Sequence, residues 1–548
     1  MKYQFGLAGG DGIAVTPDKN YLALSRPGEI DYGFLVEANR NKQERLQLPE
    51  LNSGFDTVYW YRGSEITTLA ADENGCFVSS KEAERIPCTF VTDVQSAGNY
   101  QVTVTLYTKD LVEEAYVFLG RRHLAYVGKI EADREWTRTF ITNICPIIPR
   151  NHEKAMEDTT LDVTIIGKGL HLKSVEVVPI ESKTIYIAGD STVTDQSADY
   201  PYYPYHSYSG WGQMLSYYVG NQAAISNHSH SGLTTESFRS EGHYSILINQ
   251  IQQGDYCLIQ FGHNDQKLPH LMAEGGYKDN MKQYIKEIHE KGAFPILVTP
   301  LARNSWRGND GTYNDLLEEY ADVCKELAEE YGITLIDLHK ESKKLVIELG
   351  KEQVKKYFFP SDYTHSNDYG AFLFAGYVFK ELVQKTSFEM NEQVEENVFQ
   401  PPNVFPEIVP PKEFKEMEDP NTERLFEHVE RPEDLLTRVE AFEFVITAMH
   451  FFPTNVYNDA FDDVIGHEVY AGTVECAYQN GLIPDSMIDD KKIFPAKKIS
   501  GSEFLEIVAT GYQSRKGTLH LNDFMKKVRD KQTITRRTAA KLCSQLHI

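Results

Sequence analysis

The sequence predicts a multidomain α/β protein, in which an N-terminal all-β unit precedes a central open parallel sheet wrapped by helices, and a mainly helical region closes the chain. Three observations predict it. Residues 1–180 carry runs that alternate apolar and polar residues, such as 100–107 (YQVTVTLY), 115–119, 123–130 and 161–166, separated by Gly, Asn and Asp turns at the spacing of a β-sandwich. Residues 181–390 carry short apolar runs that each stop abruptly in polar turn residues, as buried parallel strands do. Beyond a proline- and glutamate-rich stretch, helical patterns return. A chain of 548 residues with 41% apolar residues has room for roughly three such units.

The first central run, 184–188, is bounded by Gly189 and reads as a strand; Asp190 and Ser191 then supply good helix N-cap types for the next element. Backbone N–H groups at a strand-to-helix turn point outward, ready for negative charge, so Ser191 is a candidate nucleophile. The run 223–227 ends in Asn227-His228-Ser229-His230-Ser231-Gly232, where Gly232 can bring a bare N–H close to a substrate. The run 255–261 ends in Gly262-His263-Asn264-Asp265 and sets Asn264 at the same sheet edge as Ser191. After two more strand-like runs, 294–299 and 333–338, Asp362 and His365 stand three residues apart before a helical stretch.

A serine hydroxyl needs a histidine to take its proton, and that histidine needs a third group to hold its tautomer. His365 and Asp362 fit those roles for Ser191. The oxyanion of ester cleavage needs donors, which the backbone N–H groups of Ser191 and Gly232 and the Asn264 side-chain amide can provide, each worth about 3 kcal/mol of transition-state stabilisation. Taken singly, each residue has a plainer reading: Gly-Asp-Ser as a turn, Asp362 and His365 as a helix cap and a surface histidine, Asn264 and Gly232 as turn and loop residues. Jointly they gain weight, because strand ends of an open parallel sheet converge at one carboxyl edge.

The four blocks resemble the SGNH, or GDSL-type, hydrolases, with Ser191, Gly232, Asn264 and His365 as the marker residues. The Gly-Asp-Ser-Thr-Val, Gly-His-Asn-Asp and Asp-x-x-His variants look most like the rhamnogalacturonan acetylesterase branch. The resemblance spans roughly 180–390 and implies a flavodoxin-like three-layer α/β/α sandwich with a five-stranded parallel sheet that removes acetyl groups from plant polysaccharides. Residues 1–180, including Asp31-Tyr32-Gly33-Phe34 and Gly98-Asn99-Tyr100, resemble the galactose-binding-like jelly-roll that precedes many bacterial members; a carbohydrate-binding role and a non-binding scaffold both fit. Residues 391–425 read as a Pro/Glu-rich linker. In 426–548, Thr437-Arg438-Val439-Glu440, Ser500-Gly501-Ser502-Glu503 and Ile534-Thr535-Arg536-Arg537 resemble S-layer homology repeats, which can bind cell-wall polymer. Only the first copy keeps a near-match, so the region reads as a structural or oligomerisation module that kept the fold and lost the ligand.

Residues 200–211 (YPYYPYHSYSGW) pack five tyrosines and a tryptophan after the nucleophile turn. Aromatic faces beside a site can stack on pyranose rings, or the loop can pack on a neighbouring domain. Trp211, Tyr205, His263 and Arg303 are therefore candidate substrate contacts. Metal binding is disfavoured by the lack of tight His/Cys/Asp spacing, and no cofactor is called for. A net charge of −25 argues against nucleic acid and anionic membranes, and no stretch approaches the twenty apolar residues of a membrane span. The start, MKYQFGLAGGDGIAV, has no continuous apolar core, which sets the expectation in the cytoplasm, or outside the cell if a leader was removed; seven unpatterned cysteines agree with free thiols. The reading is a metal-independent carbohydrate O-acetylesterase acting on rhamnogalacturonan-like or xylan-like oligosaccharides through Ser191, His365 and Asp362. The rivals are a lipase or thioesterase of the same family acting on longer acyl chains, and a non-catalytic glycan-binding protein; a homo-oligomer is compatible with either.

Overall fold

Alternation along the N-terminal runs becomes two facing sheets in the computed structural model, which describes residues 1–6, 11–21, 30–35, 68–79, 85–148, 155, 158–198, 201–307, 311–360, 362–395, 397–408, 429, 431–451, 456–457, 460–464 and 470–546. Its strands are β1 (Lys2–Phe5), β2 (Ile13–Val15), β3 (Tyr32–Phe34), β4 (Leu69–Asp72), β5 (Gly75–Val78), β6 (Cys88–Asp93), β7 (Gly98–Thr108), β8 (Val112–Leu119), β9 (His123–Ile130), β10 (Arg134–Ile144), β11 (Thr160–Ile166) and β12 (Leu170–Ile180). One sheet runs β10-β7-β12-β1-β2 with the β4–β5 hairpin attached to β12, and the other runs β3-β6-β11-β8-β9. Every second residue of β7, namely Tyr100, Val102, Val104 and Leu106, is buried between them with Phe90, Leu161 and Val163. The second sheet is covered on its outer face as well. There Val91, Tyr116, Phe118, Leu124 and Val127 join the core of the central unit, so β6 and β11 are buried along their whole length.

The central sheet comprises β13 (Thr184–Gly189), β14 (Ala224–Asn227), β15 (Tyr256–Gln260) and β16 (Phe294–Val298), then, after β17 (Trp306–Arg307), β18 (Thr334–Ile336). All its pairings are parallel, in the order β14-β13-β15-β16-β18. This is the doubly wound order whose switch point lies between the first and third strands, where ligands bind beyond the carboxyl ends. Period two divides β13 between two layers: Ile185 and Ile187 face the helices Trp211–Val219 and Asp368–Lys385, while Tyr186 and Ala188 face Lys278–Glu290 and Glu318–Tyr331.

Past the sheet, Phe399 is buried against Tyr369 and Phe372, so the start of the expected linker packs on the central unit; residues 409–428 and 430 lie outside the described set. The C-terminal helices Arg438–Ala448, Gly501–Lys516 and Arg536–Cys543 begin at equivalent caps, Thr437, Ser500 and Thr535. The first two are capping boxes closed by Glu440 and Glu503. Arg438 reaches Glu503 at 2.9 Å, and Arg536 reaches Glu440. A third pair of this kind would need an arginine at 501 and a glutamate at 538; the chain has Gly501 and Thr538, and a Cβ at 501 would sit 1.8 Å from the Val528 carbonyl. Arg438 and Arg536 are thus both paired inside the module. Among the described residues no helix is long and apolar enough to cross a membrane.

Candidate active site

At the end of β13 the chain turns without entering a helix. Residues 191–194 form a turn, and the next α-helix begins only at Trp211, capped by Gly210, so the expected strand-to-helix junction at Ser191 is absent. Asp190 organises the turn instead. Its fully buried carboxylate accepts the Thr192 N–H at 2.9 Å and the Thr192 hydroxyl at 2.8 Å, and its second oxygen faces His263 Nδ1 at 3.3 Å. Burial pushes the Asp190 carboxyl up, but His263 and the Thr192 donors outweigh it and hold the group below the usual carboxylate range. Gln260, at the end of β15, donates to the Thr192 hydroxyl at 2.7 Å and accepts the Trp211 indole N–H at 2.9 Å. The nucleophile turn is therefore wired into the core on both sides.

Ser191 is 8% exposed, and its Oγ lies 2.8 Å from His365 Nε2. His365 Nδ1 lies 2.8 Å from Asp362 Oδ2, while Asp362 Oδ1 accepts the backbone N–H groups of Thr364 at 2.8 Å and His365 at 2.9 Å. The carboxylate accepts a hydrogen bond from Nδ1–H, which leaves Nε2 free to accept from the serine. Burial raises the Asp362 carboxyl, yet the adjoining His365 imidazole and these hydrogen bonds prevail and bring it down to about 2. The imidazole also has an aromatic wall: Tyr208 meets it edge-on at 5.9 Å, stacks on Phe359 at 3.7 Å, and sends its hydroxyl toward Asp362 at 3.4 Å.

The donor side comes from two other strand ends. Gly232, in the loop after β14, has φ +87°, a conformation that favours glycine, although a Cβ there would meet nothing within 4 Å. Neither the Ser191 N–H nor the Gly232 N–H has an acceptor among the described residues. Asn264 gives one amide hydrogen to the Leu233 carbonyl at 3.0 Å, its oxygen accepts from Lys267 at 3.2 Å, and its second amide hydrogen has no acceptor among the described residues. Beside it, Asp265 Oδ1 accepts both the N–H and the hydroxyl of Thr235, at 2.9 and 2.6 Å, and clamps the Gly232 loop to the Asn264 turn.

Residues 187–371 match the model of the GDSL-like Lipase/Acylhydrolase family. The rhamnogalacturonan acetylesterase RhgT of Bacillus subtilis (strain 168) is 36% identical over 176 residues, 32% of this chain and 72% of that protein. The probable rhamnogalacturonan acetylesterase YesY of the same organism is 34% identical over 195 residues, 34% of this chain and 86% of that protein. The chain belongs to the GDSL-like lipase/acylhydrolase family. The uncharacterized esterase YxiM, again of B. subtilis, is 32% identical over 216 residues, 39% of this chain; the match spans about half, 55%, of YxiM. The central unit of this GDSL-like chain is that of a carboxylic ester hydrolase.

The expected substrate contacts fare differently from the residues at the serine. Trp211 is 0% exposed and anchors Gln260, so it cannot stack on a sugar: the helix capped by Gly210 carries it into the core of the GDSL-like unit. His263 is buried too, held between Asp190 and the Leu301 carbonyl at 2.9 Å, which removes it from the substrate surface. Arg303 donates to the His263 carbonyl at 3.2 Å and is partly exposed. Tyr205 stacks on Phe405 at 4.5 Å and donates to the Pro406 carbonyl. It lines an open pocket of about 510 Å³ with Phe358, Phe359, Tyr363, Asp362 and Lys356, directly beside the Asp362 end of the relay. Sequence reasoning missed Tyr208, which stands in the same aromatic run as Tyr205.

Proposed function

We propose that this chain is a carbohydrate O-acetylesterase that removes acetyl groups from plant-derived oligosaccharides of the rhamnogalacturonan or xylan kind. One observation carries the reading: an unbroken relay from Ser191 Oγ through His365 to Asp362, both links 2.8 Å long, ends at a serine 8% exposed. The similarity to RhgT, a rhamnogalacturonan acetylesterase, and to YesY, a probable one, supports an acetyl ester of a glycan as the substrate class. His365 Nε2 takes the hydroxyl proton as Ser191 Oγ bonds to the acetyl carbon. The carbonyl π electrons move to oxygen, where the Ser191 and Gly232 N–H groups and the second Asn264 amide hydrogen stabilise them. Collapse expels the sugar oxygen, which takes the proton from His365, and a water activated by the same nitrogen releases acetate and restores Ser191. Throughout, Asp362 stays ionised and holds the imidazolium.

The pocket flanked by Tyr205, Phe359 and Tyr363 would take part of the glycan, since aromatic faces suit the apolar sides of pyranose rings. The C-terminal module would act as a structural unit, supported by the internal pairing of Arg438 and Arg536. Ser191→Ala is expected to abolish p-nitrophenyl acetate hydrolysis and acetate release from acetylated oligosaccharides while leaving the circular dichroism spectrum unchanged. Retained hydrolysis in that variant, or turnover that climbs as the acyl chain lengthens beyond acetate, would contradict the reading.

A further inference from the structure

The β8–β9 hairpin of the N-terminal unit turns at Gly120-Arg121-Arg122, and Arg122 adopts φ +55°, a backbone conformation uncommon for a residue with a side chain. This turn leaves its own sheet and enters the hydrolase. The Arg122 guanidinium and the Asp368 carboxylate are both 0% exposed and joined by two hydrogen bonds, of 2.7 and 3.2 Å. Arg122 Nη2 also donates to the Tyr208 carbonyl at 2.6 Å and the Gln213 side chain at 3.1 Å, and Nε donates to the Gln196 carbonyl at 3.0 Å. Every one of these acceptors belongs to the hydrolase, and three of the four, on Asp368, Tyr208 and Gln196, sit beside the segments that carry the reacting groups. Asp368 opens the helix just after His365, and Tyr208 walls the imidazole and reaches Asp362. Gln196 lies five residues past the nucleophile. The Tyr208 segment is further tied to the His365 turn, through Ser209 N–H to the Ser366 carbonyl at 3.2 Å and the Ser366 hydroxyl to the Ser209 carbonyl at 2.7 Å. The flanking residues repeat the pattern, since Arg121 and His123 both meet Asp195 at 3.3 and 3.0 Å.

We infer that Arg122 is a positioning residue for the esterase centre, an arginine lent by the β unit that fixes the Tyr208 wall and the His365 turn in register with Ser191. A planar guanidinium can serve the carboxylate bidentately and still reach two backbone carbonyls; a lysine ammonium matches the charge and cannot span the same set. The consequence is a β unit that completes the catalytic geometry from behind, whether or not it binds sugar. The inference rests on Ser191 and His365 being nucleophile and base.

The test compares full-length wild type with Arg122→Lys and, as control, Ser191→Ala, on p-nitrophenyl acetate. Rates are divided by the fraction of chains labelled at Ser191 by a fluorophosphonate, so that partial unfolding does not count as lost catalysis. Arg122→Lys is expected to fold, to keep KM within about twofold, and to lose at least about tenfold in kcat per labelled site, since displacements near 1 Å can cost a hundredfold. A smaller loss overturns the inference. So does failure of Arg122→Lys to fold, which would make the arginine a determinant of folding instead. Activity persisting in Ser191→Ala would instead remove the catalytic assignment beneath it.

Discussion

Asp362, half-buried, and Asp265, fully buried, are carboxyls of one site driven in opposite directions, and the difference sets what each does with pH. Asp362, brought from 3.8 down to about 2, stabilises the fold fully above pH 3.8 and loses that contribution as pH falls through about 2. At about 1.4 kcal/mol per unit, that is on the order of 2 kcal/mol. Asp265, raised by burial from 3.8 to about 7 against its Thr235 hydrogen bonds, binds its proton more tightly folded than unfolded. Its cost is absent below pH 3.8, grows as pH rises to about 7, and is constant above. Asp265→Asn keeps an oxygen for Thr235 and removes the titration. The urea midpoint of the variant is expected to gain on wild type between pH 5 and pH 8; an unchanged difference would show that the carboxyl ionises normally. Catalysis divides the same way by residue. Asp362→Asn, which cannot hold the Nδ1–H tautomer, is expected to lower kcat by about 10⁴, and Asn264→Ala by about 10² to 10³, both read on p-nitrophenyl acetate with the fold checked by circular dichroism.

Among the elements, strand ends were more legible than the turns and helices after them. Five apolar runs, four of them stopped by Gly, Asn or Asp and one by Thr299-Pro300, mark the carboxyl edge of a parallel sheet because burial on both faces leaves few polar positions until the strand ends. That edge brings Ser191 and His365 together although 174 residues separate them. Asp190 and Ser191 suggested a helix cap, yet the Asp190 carboxylate closes a local turn on Thr192, a choice that propensity cannot distinguish from a cap. Trp211 looked exposed because it ends a run rich in proline and tyrosine; only the Gly210 cap and the partner Gln260 show that the helix starts there and carries the indole inward. In the C-terminal module the capping boxes are the part visible in sequence, as Thr437-x-x-Glu440 and Ser500-x-x-Glu503. Ser500→Ala is expected to lower the thermal midpoint of the module through a loss of about 1 kcal/mol, with esterase activity at 25 °C unaffected.

For the molecule as a whole, the β unit and the hydrolase share one hydrophobic core and one buried ion pair, so the junction is part of the interior. Nothing in the local pattern announces this, because Gly120-Arg121-Arg122-His123 has the composition of any solvent-facing hairpin turn and its partners lie far along the chain. Breaking a buried pair from one side costs about 3 to 5 kcal/mol, since the remaining charge has no solvent. A chain lacking residues 1–180 would leave Asp368 without its arginine and the helix Trp211–Val219 without the strand β9 that packs on it, and it is expected to elute from size exclusion as aggregate. A monodisperse, fully active fragment would show that the hydrolase needs no partner unit. The central claim is that a hydroxyl at the end of β13 is activated by an imidazole from the turn before the helix Asp368–Lys385. It is tested most directly by treating the protein with a fluorophosphonate and mapping the label by mass spectrometry in wild type and His365→Ala. The account expects one label, on Ser191, forming at least about a hundredfold more slowly in the variant. Labelling on another residue, or at the same rate without the histidine, would contradict it.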